Sequence, residues 1–269
     1  MRYFFHIGYN GFQYHGWQRH APHLTVQEVL EENISKLLKE PTTILGCGRT
    51  DAQVHASQYF FHLDTDKMLN EEITFRLNKM LPEDIAVFDI LRVDDNVHAQ
   101  YNAVQRTYEY FIHTYKDPFL SRFSCYYQGK TLDCSKMKQA LALLTQYNDF
   151  YAFCKSPEKQ DHTLCNLTSA KLFSDPTGDK LRIQFTSNRF VRGMIRAIMA
   201  KLLKTGSGEI SVDEFEKYLI TKETGSAIEF SPPQGLYLSK VIYPFLDLPA
   251  RSDFSPFHQN EKELEWQAV

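Results

Sequence analysis

Two hydrophobic spacings alternate along this chain, and they do so in nearly the same order twice. Residues 2–9 alternate, with Tyr3, Phe5, Ile7 and Tyr9 on one face, and stop at the turn signal Asn10-Gly11. Thr25-Val-Gln-Glu28 has the form of a capping box and opens a helix through Val26, Val29, Leu30, Ile34, Leu37 and Leu38, ending before Pro41. Short strands are expected at 42–46 and 56–64, a helix behind Asn70 carrying Ile73, Leu77, Met80 and Leu81, and a buried strand at 85–93. In the second half, strand 106–114 presents Tyr108, Tyr110 and Ile112. Helix 135–147 follows, then strands 167–173 and 181–186 around Asp175-Pro-Thr-Gly178, a helix at 190–205, another behind Ser211-Val-Asp-Glu214, and strand 236–243. The order β-α-β-β-α-β, repeated without evident sequence identity, is the split βαβ order of ferredoxin-like antiparallel sheets. The expected class is α+β: one half over 1–105, a second over 106–248, and a polar tail over 249–269.

Composition removes several function classes. No apolar run approaches the ~20 residues of a membrane span, and the first residues turn polar too soon for a signal peptide. Five cysteines without a Cys-x-x-Cys pair argue against a disulfide framework or zinc cluster and fit a cytoplasmic protein. Net charge is −3, so average charge does not indicate a nucleic-acid partner. The 14% aromatic content and the uneven placing of arginine point the other way.

The densest polar stretch is Gly46-Cys47-Gly48-Arg49-Thr50-Asp51-Ala52-Gln53-Val54-His55-Ala56, set between two expected strands. Arg beside Asp favours the ionised carboxylate, which serves as a nucleophile or base; the competing reading is a polar loop with an internal ion pair. Asp51, His55, His62, Asp64 and Asp66 are metal-ligand types without metal-ligand spacing, so no metal is expected. Thr205-Gly-Ser-Gly208 lacks a phosphate-loop ending and reads as a helix C-cap. No nucleophile elbow or dinucleotide fingerprint occurs. On a helix over 188–205, Val191, Met194, Ile195, Ile198 and Leu202 share an apolar face. Arg189, Arg192 and Arg196 share the opposite one, either a solvated face or an anion-binding stripe. Tyr108 and Tyr110 read as core by spacing, with base stacking as the alternative.

An ordered set of segments carries a resemblance. It comprises Tyr14-His-Gly-Trp17-Gln18, Thr25-Val-Gln27, Gly46-x-Gly48-Arg49-Thr50-Asp51-Ala52, Val54-His55-Ala56 and His98-Ala99. It continues with Arg106-Thr-Tyr108-x-Tyr110, Asp149-Phe150-x-x-Phe153, Met194-Ile-Arg196 and Pro232-Pro-x-Gly235-Leu236-x-Leu238. Over about residues 2 to 245 the chain resembles the tRNA pseudouridine synthase A family. The resemblance implies two halves with antiparallel sheets about a central basic cleft. It also implies cofactor-free isomerisation of uridine to pseudouridine in the anticodon stem-loop of tRNA, and a homodimer sharing one tRNA. By that match Asp51 is the nucleophile and Arg196 pairs with it. Tyr108 stacks on the flipped base and takes a proton; Arg49 helps extrude the base; Leu238 lines the pocket. His55, Arg106, Arg189 and Arg192 join the substrate-binding set. Gln53 stands where the family usually has Gly, Gln100 where Arg is usual, Asn148 where His is common and Ala200 where Gly is usual. The competing functions are a non-catalytic tRNA-binding or folding protein on the same scaffold, and a nucleoside-bond hydrolase using Asp51.

Overall fold

The computed structural model describes residues 1–129, 131–223, 227–246, 248 and 267–268. Chain contacts divide it into two units, Met1–Val104 with the described part of Tyr237–His258, and Gln105–Leu236 with the described part of Gln259–Val269. The expected polar tail over 249–269 lies outside the described residues except for Gln267–Ala268.

In the first unit, β1 (Arg2–Tyr9) is central, antiparallel to both β3 (His55–Asp64) and β4 (Ile85–Val93). The expected strand over 42–46 is reduced to β2 (Leu45–Gly46), a short antiparallel pair with β3. Alternation predicts one buried face for β1, yet Phe4 and His6 are as buried as Phe5 and Ile7. The reason is long-range. Tyr243 and Phe245 return to the second face and pack against Phe4 with ring centroids 5.4 and 5.8 Å away. Helix α1 (Val26–Leu38) starts where the Thr25 hydroxyl accepts from the Glu28 N–H, and buries Val26, Leu30, Ile34 and Leu38. Helix α2 (Glu71–Met80) is capped by Asn70 in the same way. It is tied to β4 by the Asn78 amide, which donates to the Val87 carbonyl and accepts from its N–H.

In the second unit, β5 (Gln105–His113), β7 (Leu167–Ser174) and β8 (Lys180–Ser187) form antiparallel ladders, with β8 between the other two. Gly178, at φ 77°, turns the β7–β8 hairpin where Asp-Pro-Thr-Gly predicts it. A two-residue strand, β6 (Cys125–Tyr126), adds in parallel to β5 and has no sequence signature. Helices α3 (Cys134–Leu144), α4 (Met194–Ser207) and α5 (Val212–Thr221) complete the unit, α5 behind the complete capping box of Ser211 and Glu214. Gly208 closes α4 as the expected C-cap, at φ 77°.

Strand β9 (Leu236–Ile242), which element order assigns to the second half, runs parallel to β3 through Tyr237 and Leu238 opposite His55 and Ala56. Strand β10 (Gln267–Ala268) pairs with β7. The class is therefore α+β as expected, with mixed rather than purely antiparallel pairing. All five cysteines are free. No described helix is long and apolar enough to cross a membrane.

His62 on β3 is 2% exposed and accepts the Ala99 N–H at Nδ1, which requires the neutral ring. Burial, and next the Arg2 charge, push it down to about 4. The unfolded ring titrates near 6.5, so this stabilisation is present above that pH and is lost as pH falls towards 4. Acid denaturation is expected to remove roughly 3 kcal/mol over that window. His62→Gln, which keeps an acceptor for Ala99, should flatten the pH dependence. An unchanged pH profile of thermal melting in that variant would contradict the assignment.

Candidate active site

The Asp51 loop is positioned by its own backbone and by the segment that follows β1. The Cys47 N–H donates to the Phe60 carbonyl at 2.8 Å, fixing the loop to β3, and the Tyr59 hydroxyl donates to the Gly48 carbonyl at 2.5 Å. Thr50 is buried, its hydroxyl hydrogen-bonded to that of Tyr9 at 2.9 Å. The Trp17 N–H donates to the Thr50 carbonyl at 3.3 Å, and the Gln53 N–H donates to the Tyr14 carbonyl at 3.0 Å. Between these two bonds lies Gly16 at φ 90°, where a Cβ would come within 2.4 Å of the Thr50 oxygen and 3.1 Å of the Asp51 carbonyl carbon. Only glycine admits both the left-handed backbone and that approach. The loop turns through a Val54 N–H bond to the Asp51 carbonyl, with Gln53 at φ 64°.

The remaining residues of the first motif hold this clamp in turn. Trp17 is 3% exposed and packs on Tyr59 at 4.1 Å. A Cβ on Gly46 would strike that indole at 2.6 Å, which accounts for glycine there. The Tyr14 hydroxyl donates to Asp84 at 2.6 Å. The Gly16 and Trp17 carbonyls accept from Val26 and Gln27 at the start of α1. The Gln27 side chain donates to Glu31 and to the Ile44 carbonyl and accepts from the Arg19 N–H. These motif residues place the loop, a role that their spacing does not reveal. Asp51 emerges half-buried and Arg49 exposed. Among the described residues no ion pair holds Arg49, so an internal Arg49–Asp51 pair is not what organises the loop.

His55, expected to touch substrate, is 1% exposed. Its Nδ1 accepts the Gly11 N–H at 3.1 Å and its ring stacks on Tyr237 at 4.5 Å, so it braces the start of β3. Leu238 is buried at 1% beside it on β9. Of the considered metal ligands, Asp64 forms a 2.7 Å ion pair with Arg2, and no group of three or more His, Cys, Asp or Glu among the described residues is placed to hold a metal.

In the second unit, the helix expected from 188 or 190 begins only at Met194, because Gly193 at φ 73° is left-handed and no helix runs through it. Arg189, Arg192 and Arg196 therefore do not form one helical stripe. Arg189 lies in the extended segment after β8, with its guanidinium 3.0 Å from the His162 ring. Arg192 is exposed in the turn before α4. The apolar residues Val191, Met194, Ile195, Ile198 and Leu202 are all buried as expected. Arg196, in the first turn of α4, donates from Nε to the Ser231 carbonyl at 2.8 Å, and its own carbonyl accepts the Ser231 N–H at 3.0 Å. Its guanidinium lies 5.5 Å from the Phe230 ring centroid.

Tyr108 and Arg106 are joined to the segment leading into α4. The Arg106 guanidinium donates to the Asn188 carbonyl at 3.1 Å, and the Tyr108 ring meets Phe190 edge-on at 5.1 Å. Tyr108 is half-buried, whereas Tyr110, two residues on, is fully buried and donates to the Pro232 carbonyl at 2.7 Å. Spacing alone makes both core; burial separates them. Each unit thus presents polar side chains on a hydrogen-bonded backbone: Arg49 and Asp51 in the first, Arg106, Tyr108 and Arg196 in the second.

Gly16→Ala is expected to cost roughly 2–4 kcal/mol, since it combines a left-handed backbone with a collision against loop backbone. A variant melting at the wild-type temperature would show that Gly16 does not fix the loop.

Comparison with known proteins covers most of the chain. A family model described as tRNA pseudouridine synthase matches residues 7–102 and 141–244. The first segment contains Asp51 and its clamp and the second contains Arg196, while Arg106 and Tyr108 fall between them. A tRNA pseudouridine synthase A of Porphyromonas gingivalis is 35% identical over 246 residues, 90% of this chain and 97% of that protein. The protein of the same name from Bacteroides fragilis is 36% identical over 248 residues, covering 91% and 97%. That from Parabacteroides distasonis is 36% identical over 245 residues, covering 90% and 96%. With family-wide similarity spanning both units, this chain belongs to the tRNA pseudouridine synthase family.

Proposed function

We propose that this protein isomerises uridine to pseudouridine in the anticodon stem-loop of tRNA, with Asp51 as the nucleophile. The observation that carries the reading is that the family match includes a half-buried carboxylate on a loop held by backbone bonds at Thr50 and Gln53. A nucleophile fixed before substrate arrives loses little freedom in reaching the reactive geometry. The target uridine leaves its stack at a cost of a few kcal/mol, least in a loop. The Asp51 carboxylate attacks the extruded nucleoside, at the base or at the anomeric carbon. The bond from the sugar to N1 breaks, the base turns, C5 bonds to the sugar, the bond to Asp51 breaks to return the free carboxylate, and N1 takes a proton from water. The proton on C5 then leaves, with Tyr108 as its acceptor and as the stacking partner of the base. Arg196 supplies positive charge to the Asp51 carboxylate.

In this reading the two units are ferredoxin-like halves bounding a basic cleft. Arg49, Arg106, Arg189 and Arg192 meet the phosphates there, and Leu238 backs the pocket. Two copies of the chain share one tRNA in the cytoplasm, and no cofactor is required. Average acidity does not oppose this. Arg2, Arg19 and Arg76 are spent on carboxylates within the protein, whereas among the described residues no ion pair occupies Arg49 or Arg192.

The test uses tRNA carrying tritium on C5 of uridine. Wild-type protein should release one tritium per modified uridine while leaving the RNA at full length, and Asp51→Asn should abolish release. Binding without release would favour a tRNA-folding role, and free uracil would favour hydrolysis. Affinity for tRNA should fall steeply with salt. Arg49→Ala and Arg192→Ala should each reduce the salt slope by about one. Salt-insensitive binding would overturn the basic cleft.

A further inference from the structure

Loop 155–162 rides on the segment that leads from β8 into α4. At one end the Lys155 N–H donates to the Arg192 carbonyl at 2.8 Å, and at the other His162 meets Arg189. The backbone beneath Arg189 is fixed, because the Asn188 side-chain oxygen accepts from the N–H groups of both Arg189 and Asn166 at 2.8 Å. The two segments together carry Lys155, Lys159, His162 and Arg192, all exposed, and the half-buried Arg189. Glu158 and Asp161 are the carboxylates of the loop, and among the described residues neither forms an ion pair with these bases. This surface belongs entirely to the second unit and keeps its positive charge.

Arg189 and His162 meet through the face of the imidazole. Nη1 of Arg189 stands 3.2 Å from Nδ1 and 3.0 Å from Nε2 of the same ring. One atom comes that close to both nitrogens only from above the ring, since in the plane it would collide with the ring carbons. In the plane, Nδ1 accepts the Leu164 N–H at 3.2 Å, so the neutral ring carries its proton on Nε2. The π face attracts and restrains the cation without spending its donors on a carboxylate. Among the described residues Nε and Nη2 of Arg189 meet no acceptor. A planar fork of N–H donors therefore stands beside the Nε2–H of His162, on a surface of net positive charge. Two oxygens of a phosphate diester fit such a fork with charge-assisted bonds. We propose that Arg189 and His162 act as one clamp for a backbone phosphate of the substrate RNA, with Lys155, Lys159 and Arg192 continuing the surface beside it. This deepens the pseudouridine synthase reading and rests on it for RNA as the source of the phosphate.

A clamp that binds substrate without touching the reacting atoms acts on KM and leaves kcat alone. His162→Ala should raise KM for a tRNA transcript about tenfold with kcat within about twofold of wild type, and Arg189→Ala should do the same. His162→Phe keeps a ring face for the guanidinium, so its KM should stay within about threefold of wild type. The two side chains serve one phosphate, so the double variant Arg189→Ala/His162→Ala should be no more than about threefold worse than the weaker single variant. Independently of turnover, Kd for the same transcript is measured in an Asp51→Asn background. There His162→Ala and Arg189→Ala should each weaken binding about tenfold and lower the salt slope by about one. Melting temperatures establish that each variant is folded. Wild-type Kd and KM in His162→Ala, a fall in kcat at unchanged KM, a His162→Phe variant as weak as His162→Ala, or losses that multiply in the double variant would overturn the proposal. Loss of tRNA binding in His162→Ala, alongside wild-type protein that forms no pseudouridine, would support the clamp and refute the functional reading instead.

Discussion

The placement of Asp51 depends on a contact between two backbones. Segment 14–17 and loop 50–54 meet without intervening side chains at Gly16, and hydrogen bonds at Trp17 and Gln53 lie on either side of that contact. Hydrogen bonds of this kind contribute about 1 kcal/mol each, so their number matters less than their position. They fix the loop before and after Asp51 rather than through its side chain, and the carboxylate stays half-exposed. Tyr9, Tyr59 and Trp17 bury the far side of the loop and keep water from its carbonyls. Gln53 bears the cost of this arrangement, since a non-glycine residue at φ 64° is strained by about 1 kcal/mol.

The second unit solves the same problem by other means. Arg196 is held by the Ser231 carbonyl, next to Pro232, whose own carbonyl accepts from the buried Tyr110 hydroxyl. Burial raises the Tyr110 hydroxyl well above its ordinary range, so it remains a donor to Pro232 at any pH the protein tolerates. Tyr108, on the same strand, is left half-buried against Phe190. A fixed partner for Tyr110 and an aromatic edge for Tyr108 give two tyrosines of identical spacing different duties.

How much of this was legible in the sequence follows from the range of each interaction. Thr25, Asn70 and Ser211 mark helix starts because a cap acts within three residues, and Gly178 marks its hairpin for the same reason. The start of α4 was not legible. Val191 is buried at helical spacing from a loop, and the break depends on the φ of Gly193, which no hydrophobic pattern encodes. Alternation missed the second buried face of β1 because Tyr243 and Phe245 come from more than two hundred residues away. At the site, motif order singled out Asp51, Tyr108 and Arg196, but it placed His55 against substrate when Gly11 and Tyr237 enclose it. Phe230 carries no local signal, since its partner Arg196 lies 34 positions earlier on another element.

The backbone bonds at Thr50 and Tyr14 hold the Asp51 loop before substrate binds. Amide hydrogen exchange on the protein without RNA measures this directly at Trp17 and Gln53, whose N–H groups are donated to Thr50 and Tyr14. Both amides should exchange at rates approaching those of the β3 core, and much more slowly than the exposed Ala52 amide. If Trp17 and Gln53 exchange as freely as open loop, the backbone contact does not hold Asp51, and its position must be set by the bound RNA.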